Sequence, residues 1–216
     1  TGGYVYRGSA ICGLAGTYFF ADYCNNVINS FRYSGGVVTD VLSRTAEPLG
    51  QRRYWPIYEA AARAKLPVAV HAFGYGGYPV TGGGWPSYYI EEMVGHAQCN
   101  QSVLTSMVME GIFERLPTLK VILVEGGFAW LPALAWRLDK VWARLRDETP
   151  HVKRPPSSYI RQQVWFTTQP TEEPEPRRHL LDTIEWMGWD RLLFATDYPH
   201  WDFDDPTQVL PPRVGE

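Results

Sequence analysis

The chain has 216 residues, 45% of them hydrophobic and 20% charged, with a formal net charge of −3. That balance suits a globular protein able to bury a substantial core. It excludes the electrostatic footprint of a nucleic-acid binder or of a protein held on an acidic membrane surface, and no apolar run is long enough to span a bilayer.

No basic n-region followed by an apolar stretch opens the chain. The three cysteines, Cys12, Cys24 and Cys99, form neither a zinc-finger spacing nor a disulfide framework. A reduced, cytoplasmic location is expected, with a Cys12–Cys24 bridge left open. Nine tryptophans are the compositional oddity. Trp85, Trp165 and Trp201 read as loop residues that could line a cleft for a planar or apolar substrate, although core packing accounts for them equally well.

Residues 1–46 carry short aromatic and β-branched runs at Tyr4–Tyr6, Thr17–Phe20 and Val27–Tyr33, punctuated by Gly13, Gly16, Asn25–Asn26 and Ser34–Gly36. This predicts two to four antiparallel strands and no helix. From residue 47 to 216 the pattern alternates between helix and strand. A helix is predicted from Trp55–Pro56, with Pro in its first turn, then a strand at 66–71 and a long helical region over 88–114. The continuous apolar strand at 119–125 reads as buried on both faces. A helix over 130–146 presents Leu131, Leu134, Leu138, Val141 and Leu145 as one stripe. A strand at 163–168, a helix at 177–187 closed by Gly188, and a strand at 191–196 complete the series. Four parallel strands joined by helices are half of a (β/α)8 barrel.

Chemistry-bearing residues sit at the strand ends, where such folds place their active sites. His71 follows Val68-Ala-Val70 and precedes a glycine-rich loop, Gly74–Gly77. Neutral imidazole is the commonest metal ligand, but a histidine hydrogen-bonded at the core rim fits the same position. Asp197 ends the last apolar strand, where a carboxylate is costly unless paired or metal-bound, although a turn-capping Asp before Pro is also common. Glu125 ends the strand at 119–125. It either joins the other two around a metal with an acid/base partner or faces the N-terminus of the following helix. His200, close to Asp197, is a candidate supporting residue. His96, His151 and His179 are weaker candidates, and Asp202–Asp205 lacks the alternating spacing of a calcium loop.

Three segments, Gly111–Gly127, Trp136-Arg-Leu-Asp139 and Phe194–Asp202, together with the strand ends, resemble the amidohydrolase-related family, the branch that includes aminocarboxymuconate-semialdehyde decarboxylase. The resemblance covers about residues 48–210. It implies a (β/α)8 barrel with a divalent metal at the C-terminal face, zinc by expectation, with manganese or another ion as the alternative. It also implies His71 as the strand-five metal ligand and Asp197 as the strand-eight residue that binds metal and handles protons. Glu125 occupies the strand-six position where the decarboxylases carry a catalytic His. The strand-one His-x-His or Glu-x-His pair is absent from the sequence, as are the first four strands. Residues 1–46 are similar to a blade of the glucose/sorbosone-type β-propeller dehydrogenases, and the chain is expected to be a fragment or a chimera.

The resemblance therefore implies a metal-dependent hydrolase of a small-molecule substrate, with Asp197 and Glu125 as catalytic groups and His71 and Asp197 on the metal. A decarboxylase of the same superfamily is the alternative. A non-enzymatic remnant, whose open sheet edges drive association, is the reading from another class. A homo-oligomer stays open, and neither nucleic acid nor membrane is expected as a partner.

Overall fold

The computed structural model describes residues 2–9, 15–21, 28–34, 37–43, 48–71 and 84–209. The first segment forms an antiparallel sheet of β1 (Gly2–Val5), β2 (Thr17–Ala21), β3 (Ile28–Ser34) and β4 (Val37–Ser43), in chain order. Gly16, at φ +77°, turns the chain into β2, and its N–H bonds Tyr6 O at 2.8 Å. Tyr18 and Phe31 oppose each other across β2 and β3 with ring centroids 4.9 Å apart. Such a cross-strand pair contributes about 0.2–1 kcal/mol. Cys12 and Cys24 lie outside the described residues, as does the Gly74–Gly77 loop.

The parallel part begins where Gly50 is pinned. Its N–H bonds Ser106 Oγ at 3.0 Å, and a side chain there would strike the Ser106 backbone. Helix α1 (Trp55–Ala64) starts with Pro56 in its first turn and stops at Lys65, which adopts φ 57°. Strand β5 (Val68–His71) follows. Helix α2 (Tyr89–Met109) opens with Glu91 accepting the backbone N–H groups of Ser87 and Tyr88 at 2.9 and 2.7 Å. The predicted long helical region ends α2 at Met109. Gly111, at φ +81°, turns the chain into a short α3 (Ile112–Arg115).

Then come β6 (Val121–Val124), α4 (Leu131–Leu145), α5 (Pro156–Gln163), β7 (Val164–Thr167), α6 (Arg178–Met187) and β8 (Leu192–Leu193). The sheet order is β5-β6-β7-β8, all parallel, which is the half-barrel arrangement the alternating pattern predicts.

Two details differ from the sequence expectation. Helix α5 fills the stretch between the helix at 130–146 and the strand at 163–168, for which the sequence predicts no element. Pro156 occupies its first turn, and Asp139 on α4 accepts both the N–H and the Oγ–H of Ser157, at 2.9 and 2.7 Å. That cap comes from 18 residues away, so no local signal announces it. The strand at 119–125 is not buried on both faces. Val121 and Leu123 are fully buried, while Ile122 and Val124 are only half-buried. The same alternation recurs in β7, where Val164 and Phe166 are buried and Trp165 and Thr167 are not.

One sheet face therefore packs into the core. Phe113, Phe128, Phe166 and Tyr159 are its largest members, together with Leu104, Met107 and Ile112. Burying each such side chain contributes about 1.5–3 kcal/mol. The other face stays partly open, and His71 shares it, since its neighbour Val70 points into the core. Trp165 lies in a strand, not a loop. Its ring is flanked by the Arg191 guanidinium at 4.5 Å and the Lys120 ammonium at 5.5 Å. No described helix is long and apolar enough to cross a membrane.

Candidate functional site

Three strands deliver their terminal groups to one place. His71 closes β5, Glu125 follows β6, and Asp197 lies four residues beyond β8. His71 Nε2 sits 2.7 Å from Glu125 Oε2. The Glu125 side chain also shares a hydrogen bond with Asp197, and Asp197 Oδ2 is 2.7 Å from His200 Nδ1. The four candidate residues thus form one continuous chain of titratable groups, His71–Glu125–Asp197–His200, at the C-terminal end of the sheet.

Glu125 and Asp197 both adopt left-handed backbone conformations, at φ 54° and 59°. Non-glycine residues rarely do so, and the strain is of order 1–3 kcal/mol each. Each conformation is held by its surroundings. Thr167 Oγ1 accepts the Glu125 N–H at 3.1 Å, while Asp197 O accepts the His200 N–H at 2.9 Å. Strain of this kind, at two carboxylates that meet, is what a site fixed for chemistry shows.

The surroundings push the two carboxyl groups apart. Burial raises the Asp197 pKa above the ordinary range, and the nearby Glu125 charge adds to that. Burial acts in the same direction on Glu125, but the hydrogen bond and charge of His71 outweigh it and leave Glu125 below its ordinary value. His200 is raised by its hydrogen bond to Asp197. Two carboxyl groups whose surroundings shift them in opposite directions can divide the roles of proton donor and acceptor between them.

Helix α2 supplies a wall that sequence reasoning missed. Tyr89, Glu92, His96 and Asn100 recur at spacings of three, four and four, which places them on one helical face. Glu92 and Asn100 are buried. Asn100 lies so close to Gly126 that a side chain at 126 would meet its Nδ2 at 1.8 Å. His96 falls within the electrostatic reach of Glu125, His71 and Asp202, and burial lowers its pKa. Among the described residues, His96 Nε2 and both amide atoms of Asn100 are buried with no hydrogen-bond partner, a costly arrangement for groups without a role. The recurrence of Tyr89, Glu92, His96 and Asn100 at helical spacing was the available signal, set among other polar residues of the helix such as Gln98 and Ser102. The stripe identifies the site only once the helix phase relative to β6 is known.

Behind Glu125, Gly127 at φ +61° turns the chain into α4, and Glu172 Oε1 accepts the N–H groups of Phe128 and Ala129, each at 3.0 Å. It is Glu172, not Glu125, that meets the N-terminal N–H groups leading into α4. His151 bonds Met109 O at 2.6 Å near the end of α2, and His179 lies exposed on α6. Neither belongs to the site. Asp204 and Asp205 satisfy backbone groups of Thr171 and Thr207, in keeping with a solvated loop.

The donor chemistry of His71 and Asp197, one imidazole nitrogen and one carboxylate, suits a divalent ion. The number falls short. Among the described residues no three His, Cys, Asp or Glu side chains are gathered so as to hold a metal, whereas catalytic zinc sites generally use three protein ligands. The described residues thus fit part of a ligand set.

Against known proteins, the chain is 29% identical over 175 residues to a gamma-resorcylate decarboxylase of Polaromonas sp. strain JS666, an alignment covering 75% of this chain and 49% of the relative. The chain therefore spans about half the length of the curated relatives it matches. Its fold is similar to that of an amidohydrolase from Mycobacterium avium subsp. paratuberculosis, with a TM-score of 0.60 and 24% identity over 73% of this chain and 39% of that one. It is also similar to a dihydroxybenzoic acid decarboxylase from Polaromonas sp. JS666, solved with bound manganese and the inhibitor 2-nitroresorcinol. There the TM-score is 0.52 and the identity 21%, over 81% and 49% of the two chains. At these identities the structural likenesses establish the fold, a partial (β/α)8 barrel. The amidohydrolase family itself matches residues 35–213, more than four-fifths of the sequence, and the chain belongs to the amidohydrolase family.

Proposed function

We propose that this chain carries the proton-handling half of a metal-dependent decarboxylase acting on hydroxylated aromatic acids. The single observation that carries the reading is the convergence of His71, Glu125, Asp197 and His200 at the C-terminal end of the sheet, with His71 Nε2 2.7 Å from Glu125 Oε2 and His200 Nδ1 2.7 Å from Asp197 Oδ2. The decarboxylase relatives favour this reaction over the hydrolysis expected from Glu125 at the end of the sixth barrel strand. Hydrolysis of an ester or amide is the second reading, favoured by the family description.

In the proposed reaction the ring carbon bearing the carboxylate accepts a proton. The bond to the carboxylate carbon then breaks, its electron pair returns to the ring, and carbon dioxide leaves. Asp197 holds that proton and Glu125 steadies it through their shared hydrogen bond. His200 then returns a proton to Asp197 from solvent, since it is exposed and 2.7 Å away. His71 fixes the Glu125 carboxylate. His71 and Asp197 would hold a divalent cation, zinc or the manganese seen in the Polaromonas decarboxylase. When bound, such a cation supplies the positive charge that lets an anionic acid approach two carboxylates.

The test incubates the protein with Mn2+ or Zn2+ and gamma-resorcylate and follows carbon dioxide release, with an aryl ester assayed in parallel. Release that disappears in Asp197→Asn supports the reading. Ester cleavage without carbon dioxide release would replace it with hydrolysis.

A further inference from the structure

The chain exposes large aromatic side chains beside the titratable cluster, and two of them are held in a fixed relation. Tyr89 opens α2 and is 58% exposed, while Trp201 follows His200 and is 73% exposed. Their ring centroids are 6.2 Å apart, tilted by 52°. The Trp201 indole N–H points to Tyr89 Oη at 3.4 Å, joining residues 112 apart in sequence. The hydrogen bond orients the indole without covering it. Tyr198 and Phe203, one on either side of Trp201 in the chain, form a second, T-shaped pair at 5.8 Å.

The position of this surface gives it a direction. Tyr89 is the outermost residue of the α2 stripe whose inner members, Glu92, His96 and Asn100, run down to Gly126. Trp201 is one residue from His200, which bonds Asp197. The ring pair is thus joined to the titratable cluster from two sides, through His200 beside Trp201 and through the α2 face that reaches Gly126 beside Glu125. With a divalent cation bound at that cluster, a ligand reaching to it from the rings would have a flat apolar body and an acidic group at one end.

We infer that Tyr89 and Trp201 form the aromatic wall that selects a planar ring in the substrate, a specificity element for the site. This rests on the proposed decarboxylase reading for its substrate class, an aromatic carboxylate. Stacked and edge-on aromatic pairs are favoured beyond simple burial because ring faces and edges carry opposite partial charge. A saturated ring of the same size lacks that gain.

The test measures binding of gamma-resorcylate and of cyclohexanecarboxylate to the full chain in the presence of Zn2+ by calorimetry and ligand-observed NMR. The wild type is expected to prefer the aromatic acid. Trp201→Ala and Tyr89→Ala each weaken its binding by up to about tenfold. Trp201→Phe restores most of the affinity, whereas Trp201→Leu, apolar but not aromatic, does not. Both side chains are largely exposed, so the variants are expected to unfold at the wild-type temperature, which circular dichroism checks.

Equal binding of the two acids, no binding of either, or indifference to Trp201→Ala and Tyr89→Ala would overturn the wall. Carbon dioxide release by a protein whose binding ignores Trp201 defeats the wall and leaves the decarboxylase reading standing. Ring-selective binding through Trp201 with no carbon dioxide release from any hydroxybenzoate does the reverse.

Discussion

Glu125 and Asp197 leave different strands with the same left-handed backbone, at φ 54° and 59°, and their side chains meet in a hydrogen bond. Each is held there by a neighbour, so the meeting is built into the scaffold. Asp197→Asn keeps the size and tolerates the left-handed conformation while removing the acidic proton. Thermal unfolding is expected to shift by no more than a few degrees. Carbon dioxide release is expected to fall by at least about a hundredfold, the ordinary weight of a positioned general acid. A steady-state assay beside a melting curve separates the two effects.

His71 is a partly exposed ligand candidate, so its loss tests the cation rather than the fold. His71→Ala is expected to leave stability nearly unchanged, as the ion pair it loses with Glu125 is solvent-screened. Titration with Mn2+ followed by calorimetry is expected to show affinity weakened about tenfold or more. Affinity equal to the wild type would remove His71 from the ligand set.

Gly126 has no room for a side chain, because Asn100 Nδ2 would lie 1.8 Å from the added carbon. Asn100 is fully buried between α2 and the end of β6 and cannot swing aside. Gly126→Ala is expected to destabilise the chain by about 1–3 kcal/mol through overpacking. Urea unfolding measures this, and combining it with Asn100→Ala, which opens the space, should recover most of the loss.

Glu172 lies behind the site, where burial raises its pKa above the ordinary carboxylate value of 4.5. A carboxyl raised on folding takes up its proton more readily in the native state than in the unfolded one. Its destabilising contribution is thus fully present at neutral pH and vanishes as pH falls through the raised value towards 4.5. Glu172→Gln keeps an acceptor for the Phe128 and Ala129 N–H groups and removes the titration. Relative to that variant, the wild type is expected to gain stability on acidification. Parallel denaturation curves at several pH values check the sign, and a loss of relative stability would contradict it.

Tyr159 Oη receives the N–H groups of Lys153 and Arg154, at 3.0 and 3.1 Å, and donates to Glu114 Oε2 at 2.5 Å. Tyr159→Phe keeps the buried ring and strands these partners. A loss of about 1–3 kcal/mol is expected in urea unfolding.

The parallel half of the fold was readable because each strand is an apolar run with a polar terminus and each helix carries its own stripe. His71, Glu125 and Asp197 were legible for the same reason, as polar residues closing apolar runs. Other features depended on relations that no local pattern carries. Helix α5 is capped from α4 by Asp139, and the last strand shrinks to Leu192–Leu193, after which the backbone is tied by Thr168 Oγ1 to Ala195 N at 3.1 Å. His96 looked like an ordinary helical residue because its meaning depends on the rotation of α2 over the strand ends. Trp201 could be read as a cleft residue, but its partner Tyr89 could not be named from spacing.

Strand β7 lies between the two strands whose carboxylates meet, and it contributes Thr167, an uncharged residue, at that level. On a flat sheet the ends of β6 and β8 would stand about 10 Å apart, two strand spacings. Asp197 can cross that distance because it lies four residues past Leu193, in the segment that leaves β8. Its meeting with Glu125 is therefore set by the path of that segment, and a mutation that redirects it would part the two carboxyl groups without touching either.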